Sequence, residues 1–149
     1  MILREAKTAD IIEMHRVRVS VNENRLSDPG RISENDYREY ITERGKGWVC
    51  EVEGGLVGFA VVDEKENNIW ALFVHPDFEN KGIGKRLHHT MLSWHFKQSN
   101  DPLWLGTSPG TRAEIFYKKM GWQKAGFYGK DEVKFEITKE AWMKQEHLP

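Results

Sequence analysis

The chain has 149 residues, 30% charged and 39% hydrophobic, which suits one folded domain with one core and excludes a disordered or membrane-embedded segment. Its net charge of −1, with acids and bases interleaved, argues against a nucleic-acid surface, which needs a basic stripe. The longest apolar run, Ile69 to Val74, is far too short to cross a bilayer, and the start Met1-Ile-Leu-Arg-Glu5 lacks a signal-peptide layout.

Residues 2–6 read as a short first strand. Thr8 offers an N-cap with Asp10 in the first turn, and Ile11, His15 and Val19, flanked by Ile12 and Met14, form an approximate helical stripe over residues 9–21. Residues 22–32, containing Asp28-Pro-Gly30, read as a polar loop. Ser33-Glu-Asn-Asp36 resembles a capping box, and Tyr37, Tyr40, Ile41 and Arg44 fall on one face of a second short helix.

Strands follow. Over residues 47–53, Trp48, Cys50 and Val52 share one face while Glu51 and Glu53 take the other. Cys50 is the only cysteine, so it forms no internal disulfide; it reads as a small buried hydrophobe, with a reducing cytoplasm as the expected setting. Gly54-Gly55 is a two-residue hairpin signal. Residues 56–62 are apolar on both faces, as in a central strand, and after a polar turn over 63–68 so are residues 69–74. A helix then carries Ile83, Leu87, Met91 and Trp94 on one stripe and should end near Ser99-Asn-Asp-Pro102. Residues 103–107 form a strand, and Ser108-Pro-Gly110 a turn. Ala113, Phe116, Tyr117 and Met120 give a helical face stopped by Gly121, and residues 122–128 and 133–137 close the chain as two strands. Hairpin-linked strands come first and helix-separated strands after, so the expected fold is α/β with a mixed sheet, in the order β-α-α-β-β-β-α-β-α-β-β.

The chemistry concentrates around one bend. The strand ending at Val74-His-Pro-Asp77 leads through Glu79-Asn-Lys-Gly-Ile-Gly84 into a helix that carries Lys85 and Arg86. Such a bend points several backbone N–H groups at one spot, and the helix dipole adds partial positive charge there. That makes an anion site, most simply for a phosphate or pyrophosphate. The Gly-x4-Gly-Lys-Ser/Thr of a P-loop is absent, and Leu87 stands where a dinucleotide fingerprint has its third glycine. A lone Gly-x-Gly would read as an ordinary helix start; the flanking residues set this one apart. His88, His89 and His95 have no metal-site spacing, so no metal is expected.

The bend, after a strand ending in Val-x-Pro, resembles the coenzyme A loop of the GNAT acetyltransferases, written Arg/Gln-x-x-Gly-x-Gly/Ala. A second segment, Thr111-Arg-Ala-Glu-Ile-Phe-Tyr-Lys-Lys-Met-Gly-Trp122, is similar to that family's Asn-x-x-Ala-x-x-(Phe/Leu)-Tyr-x-x-x-Gly-(Phe/Trp). The match falls on Ala113, Phe116, Tyr117, Gly121 and Trp122, with Gly110 where asparagine is common. The order of elements matches the family's fold from end to end, implying one GNAT domain over residues 1–149.

The resemblance implies that the backbone amides of Asn80, Lys81, Gly82, Ile83, Gly84 and Lys85 bind the pyrophosphate of coenzyme A. It also implies that Leu72, Phe73 and Val74 pair with the pantetheine arm as a strand would, with Gly110, Arg112 and Phe116 as further contacts. Glu79 departs from the usual Arg or Gln; it should point away from the anion, with Lys81, Lys85 or Arg86 compensating. Tyr117 becomes the catalytic hydroxyl, although at this helical spacing a core aromatic is the plain alternative. An amine would attack the thioester in a ternary complex, the N–H of Phe73 or Val74 would stabilise the oxyanion, and Tyr117 would hydrogen-bond or protonate the departing sulfur. Full transfer from a phenol near pKa 10 to a thiol near 8.5 is uphill by about 2 kcal/mol, so hydrogen bonding alone would serve.

The general base stays open. Some family members use a fourth-strand glutamate, but Ile69-Trp-Ala-Leu-Phe-Val74 offers none, with Asn68 just ahead of it. Glu23, His75, Glu136 and a water chain are the candidates. The expected activity is acyl-CoA-dependent N-acyl transfer, with acetyl-CoA as donor and a primary amine as acceptor. Residues 21–41 with Trp70, Trp104 and Tyr128 should shape the acceptor pocket; a small amine, an amino-group antibiotic, a polyamine or a protein amine all fit. The rivals are a non-catalytic acyl-CoA-binding module of the same fold and a nucleotide-binding regulatory domain. A homodimer through the two terminal strands is expected, with Trp142 and Met143 either assisting it or folding back on their own sheet.

Overall fold

The computed structural model describes residues 1–26 and 30–146. Among them seven strands form one sheet in the order β1-β2-β3-β4-β5-β7-β6: β1 (Ile2–Glu5), β2 (Gly45–Val52), β3 (Gly55–Asp63), β4 (Asn68–Val74), β5 (Leu103–Thr107), β6 (Gln123–Tyr128) and β7 (Glu132–Ile137). Every neighbouring pair is antiparallel except β4 and β5, whose connection is the long helix α3 (Ile83–Gln98). A parallel pair needs such a crossover, whereas antiparallel neighbours close through short turns. The expected mixed sheet and element order are what the chain adopts, with one addition, the C-terminal helix α5 (Lys139–Glu146).

Both faces of the sheet are covered. Helices α1 (Ile11–Ser20) and α2 (Glu34–Glu39) pack Ile11, Met14, Val17 and Tyr37 against Val49, Phe59, Val61 and Ala71. On the opposite face α3, α4 (Arg112–Lys119) and α5 pack Leu87, Met91, Leu92, Tyr117 and Trp142 against Cys50, Ala60, Val62 and Phe135. Successive residues of β3 therefore feed different cores, which is why that segment is apolar without alternation. Val49 is fully buried too, so β2 has two apolar faces at its centre rather than the polar face expected from Glu51 and Glu53.

Several local readings shift. Lys7, not Thr8, stands at the start of the first turn, where its N–H donates to Asp10 Oδ2 at 2.7 Å, and Arg4 grips the same carboxylate at 2.8 and 2.9 Å. In α1 the buried stripe is Ile11, Met14 and Val17, while Ile12 and Val19 face solvent. The β2–β3 hairpin turns on Glu53-Gly54, one residue earlier than expected, with φ of 52° and 82°. Two successive positive φ values are what a primed hairpin turn requires. The capping box at Ser33 forms as read, with Asp36 N–H donating to Ser33 Oγ at 3.1 Å and Ser33 N–H to Asp36 Oδ2 at 2.7 Å. Beyond α2 the backbone widens into a π turn over Tyr40–Arg44, which leaves Ile41 buried and carries Arg44 to the buried Asp63 at 2.8 Å. Of the Asp28-Pro-Gly30 turn, Asp28 and Pro29 lie outside the described residues.

Candidate active site

The site follows from one unfinished ladder. β4 and β5 pair at a single position, Asn68 with Trp104, where Trp104 N–H donates to the Asn67 carbonyl at 3.0 Å and Asn68 Nδ2 to the Trp104 carbonyl at 3.2 Å. β4 is held along its length by β3, and β5 by β7, so beyond that pair their facing edges have no strand partner among the described residues. The gap is the floor of a cleft of about 1240 Å³. His75 N–H donates to Val57 O on the β3 side at 2.8 Å, and alternation along the strand then turns Phe73 toward β3 and Leu72 and Val74 toward the cleft.

At the cleft mouth stands the N-terminus of α3. Gly82 is its N-cap, in the left-handed region at φ 81°, and it supplies no side chain to cap the helix. The first helical hydrogen bond runs from Arg86 N–H to Gly82 O at 3.1 Å, so the amides of Ile83, Gly84 and Lys85 precede the intrahelical ladder. The starts of α2 and α4 differ: Ser33 and Thr111 cap them, each through its hydroxyl. Unpaired amides reinforced by sixteen residues of helix dipole favour an anion at this point.

Of the residues singled out in the sequence, Leu72, Phe73, Val74, Glu79, Asn80, Gly82, Ile83, Gly84, Lys85, Arg112, Phe116 and Tyr117 line this one cleft. Lys81 and Gly110 do not: Lys81 extends its Nζ toward the Phe78 ring, and Gly110 shapes the turn before α4, its N–H donating to Glu114 Oε1 at 3.1 Å. Glu79 is neutralised by neither Lys81, Lys85 nor Arg86. Its partner is Arg112 from α4, whose guanidinium also donates to Asn80 Oδ1 at 3.1 Å. This ion pair ties the glycine bend to α4 and holds the carboxylate by a cation.

Tyr117 lies 7% exposed among Phe116, Trp122 and His88, and burial raises its phenol well above the ordinary value. Its hydroxyl has no hydrogen-bond partner among the described residues and belongs to the cleft wall. The group therefore stays protonated and can only donate to, or accept from, a bound molecule. His88 beneath it is neutral: burial pushes its pKa down to about 3, and its Nε2 accepts the Trp122 indole N–H at 2.9 Å. His95 is also buried; the cost of burial is outweighed by Glu64 at 2.6 Å and the Asp101 carbonyl at 2.9 Å, so its pKa is raised. No group of metal-ligating side chains occurs among the described residues.

The candidate bases separate. His75 and Glu136 lie outside the cleft wall; His75 Nδ1 accepts Asp77 N–H at 3.1 Å, and Glu136 faces Lys134 at 3.6 Å. Glu23 is in the wall, but its Oε1 accepts Arg112 N–H at 3.2 Å, closing the start of α4. The expected acceptor-side residues Trp70, Trp104 and Tyr128 are present, together with the loop from Val21 to Leu26 and Arg31. Two residues that the sequence did not single out join them: Arg18 from α1, and Glu132 at the start of β7. Each sits in an unremarkable charged context, and only the approach of α1 to the sheet brings them to the same space.

The family model for the Acetyltransferase (GNAT) domain matches residues 43–124. An uncharacterized N-acetyltransferase of Archaeoglobus fulgidus is 31% identical over 133 residues, covering 78% of this chain and 89% of that protein. Another, of Methanocaldococcus jannaschii, is 34% identical over 101 residues, 59% of this chain; the match spans only 44% of that protein's length. Among solved structures, an N-acetyltransferase of Thermoplasma acidophilum in complex with coenzyme A superposes with a TM-score of 0.75, at 16% identity, over 92% of this chain and 98% of that one. At that identity the likeness is one of fold.

Proposed function

The chain belongs to the GNAT acetyltransferase family, and from that premise we propose that residues 1–149 form one domain that transfers an acetyl group from acetyl-CoA to a primary amine. The observation that carries the reading is the splayed β4–β5 edge with the uncapped N-terminus of α3 at its mouth. The donor's pyrophosphate would rest on the amides of Asn80, Gly82, Ile83, Gly84 and Lys85, and its pantetheine arm would lie along the cleft-facing edge of Leu72 and Val74. Donors and acceptors of a strand edge match the two amides of that arm, and the apolar side chains of Val74, Phe116 and Met120 suit its methylenes.

In this reading the chain's own groups divide the work. The Val74 N–H, turned into the cleft, is the one of the two strand amides free to meet a developing oxyanion; Phe73 is committed to β3. Tyr117 donates a hydrogen bond to the departing sulfur. A phenol held protonated by burial is a poorer acid but a dependable donor, so assistance by hydrogen bonding is favoured over full proton transfer. The acceptor would enter from the α1–α2 face, past Trp70, Trp104 and Tyr128. The buried free thiol of Cys50 supports a reducing compartment, and we place the protein in the cytoplasm.

The direct test joins two measurements on the same protein: calorimetric titration with acetyl-CoA, and free-thiol release across an acceptor panel. Micromolar coenzyme binding with amine-dependent thiol release is expected. Binding of ATP or NAD in place of acetyl-CoA would defeat the reading, and tight acetyl-CoA binding with no turnover on any amine would favour a non-catalytic acyl-CoA module.

A further inference from the structure

Arg18 is in an unusual position for a surface-helix arginine. Its guanidinium carbon lies 4.0 Å from the centre of the Phe73 ring, its Nη1 is buried without a hydrogen-bond partner, and it forms no ion pair among the described residues. The cost of its burial lowers its pKa, against the opposing pull of Tyr37 and Glu132. Withdrawing part of a guanidinium from water without an ion-pair partner works against folding. Phe73 covers one face of the plane and leaves the edges, where the N–H donors point, for another group.

Glu132 faces the same space. A Cβ added at Gly106 would lie 2.8 Å from Glu132 Oε1 and 3.1 Å from the Tyr128 ring. The missing side chain in β5 is therefore the room in which this carboxylate sits. Burial raises the Glu132 pKa and Arg18 opposes that rise, so the two charges sense each other, yet they form no ion pair within 4.0 Å. Two half-buried opposite charges thus stand on the acceptor side, beside Phe73 of the strand along which the thioester would lie.

We propose that the acceptor is a small amine that carries its own carboxylate, an amino-acid-like zwitterion, bound with its carboxylate on Arg18 and its amine at Glu132. The proposal rests on the acetyl-transfer reading above. A planar guanidinium edge matches a carboxylate through paired N–H···O bonds. A phosphate dianion suits the site less well, because it would meet Glu132 at close range and lose more hydration. Small size follows from the loop after α1, which bridges the cleft: Asn24 Oδ1 accepts Ser108 N–H at 2.9 Å, and Glu23 Oε1 accepts Arg112 N–H.

The proton balance closes on the residues present. The acceptor ammonium gives one proton to Glu132, and its freed lone pair forms the C–N bond to the thioester carbon. The C–S bond breaks, and the sulfur leaves hydrogen-bonded to Tyr117. The second nitrogen proton balances the thiolate, so amide and thiol form and the proton on Glu132 passes to solvent.

The test compares free L-amino acids with their amides, spermidine and a short peptide in thiol release with acetyl-CoA. At least one free amino acid should exceed its own amide at least tenfold in kcat/KM, and Arg18→Met should bring that ratio to about one. Glu132→Gln should lower kcat roughly 10- to 1,000-fold and abolish the acidic limb of its pH profile, which a purely structural role would not do. Because Arg18→Met removes a half-buried charge that has no ion-pair partner, its melting temperature should not fall, and unchanged acetyl-CoA binding will show that it is folded. Equal use of amino acids and amides by the wild type, or a preference for spermidine or the peptide, overturns the proposal. If no amine releases thiol while acetyl-CoA still binds, the transfer reading fails by itself. Tryptophan fluorescence of the coenzyme A complex, titrated with the amino acids, then decides the site: saturable binding lost in Arg18→Met upholds it, and no binding overturns it.

Discussion

Tyr117 is where packing and proposed chemistry meet in one side chain. It fills core volume like its neighbours, yet its hydroxyl is left without a partner at the cleft wall. Tyr117→Phe keeps the ring and removes that hydroxyl, so turnover should fall roughly 10- to 1,000-fold with acetyl-CoA affinity nearly unchanged. Equal turnover would make Tyr117 a core aromatic and no more. His88 supports the same corner from below and carries a pH signature. Its folded pKa of about 3 lies below the ordinary histidine value, so between the two the unfolded chain binds the extra proton. The stability it contributes is fully present above about pH 6.5 and is lost as pH falls toward 3. Unfolding free energies from urea titrations at pH 7 and pH 4.5 should differ by on the order of 2 kcal/mol more in the wild type than in His88→Gln, which keeps an acceptor for the Trp122 indole but does not titrate. Identical acid dependence in the two proteins would remove His88 from that role.

At the scale of elements, the junction between β4 and α3 is the part most open to a clean substitution. A Cβ at Gly84 would lie 3.7 Å from Val74 Cγ2, an ordinary contact, whereas Gly82 needs its positive φ. Valine at 84 also suits a helix better than glycine does. Gly84→Val should therefore leave the melting temperature the same or slightly higher while weakening acetyl-CoA binding at least tenfold, through its side chain rather than through misfolding. Calorimetry and a thermal melt on one preparation check both halves; undiminished affinity would remove the anion site from the amides at the start of α3. Gly58 on β3 sets the height of the same helix. An added Cβ there would meet Ile83, Leu87 and the Phe73 carbonyl at 3.2 Å, so a larger residue should lift α3 from the sheet and lower stability and coenzyme affinity together.

For the whole molecule, the feature that bears on assembly is the far edge of the sheet. β6 is the terminal strand, outside β7, with Phe127 75% exposed and Tyr128 50% exposed. An edge strand with exposed aromatic side chains, even one interrupted by a bulge between Lys124 and Phe127, can pair with a second copy. Trp142 does not contribute to that surface: α5 folds back and buries it against His88 and His89, leaving Met143 outside. We therefore expect a homodimer through β6. Light scattering at micromolar concentration should give twice 17.4 kDa, and Phe127→Lys should return the mass to that of one chain. A single-chain mass that persists as concentration rises would exclude the dimer.

Periodicity and punctuation in the sequence were enough for the element order from β1 to β7, the two-sided burial of the central strands and the capping box at Ser33, because these depend on residues within a few positions of one another, whereas α5 was not read from its sequence. The glycine bend was legible for the same reason: its amides, its turn and its helix are contiguous. Other features required the fold. The Glu53-Gly54 turn depended on strand register, and the buried stripe of α1 on the angle at which that helix meets the sheet. The partner of Glu79 came from α4, more than thirty residues away, rather than from the adjacent lysines. Arg18 and Glu132 are the clearest case. Nothing in either local sequence marks them, since a charged residue on a helix or at a strand start is ordinarily solvated. They acquire meaning only when α1 and β7 are brought to opposite sides of the gap that β4 and β5 leave open, where each charge loses part of its water and gains no partner of its own.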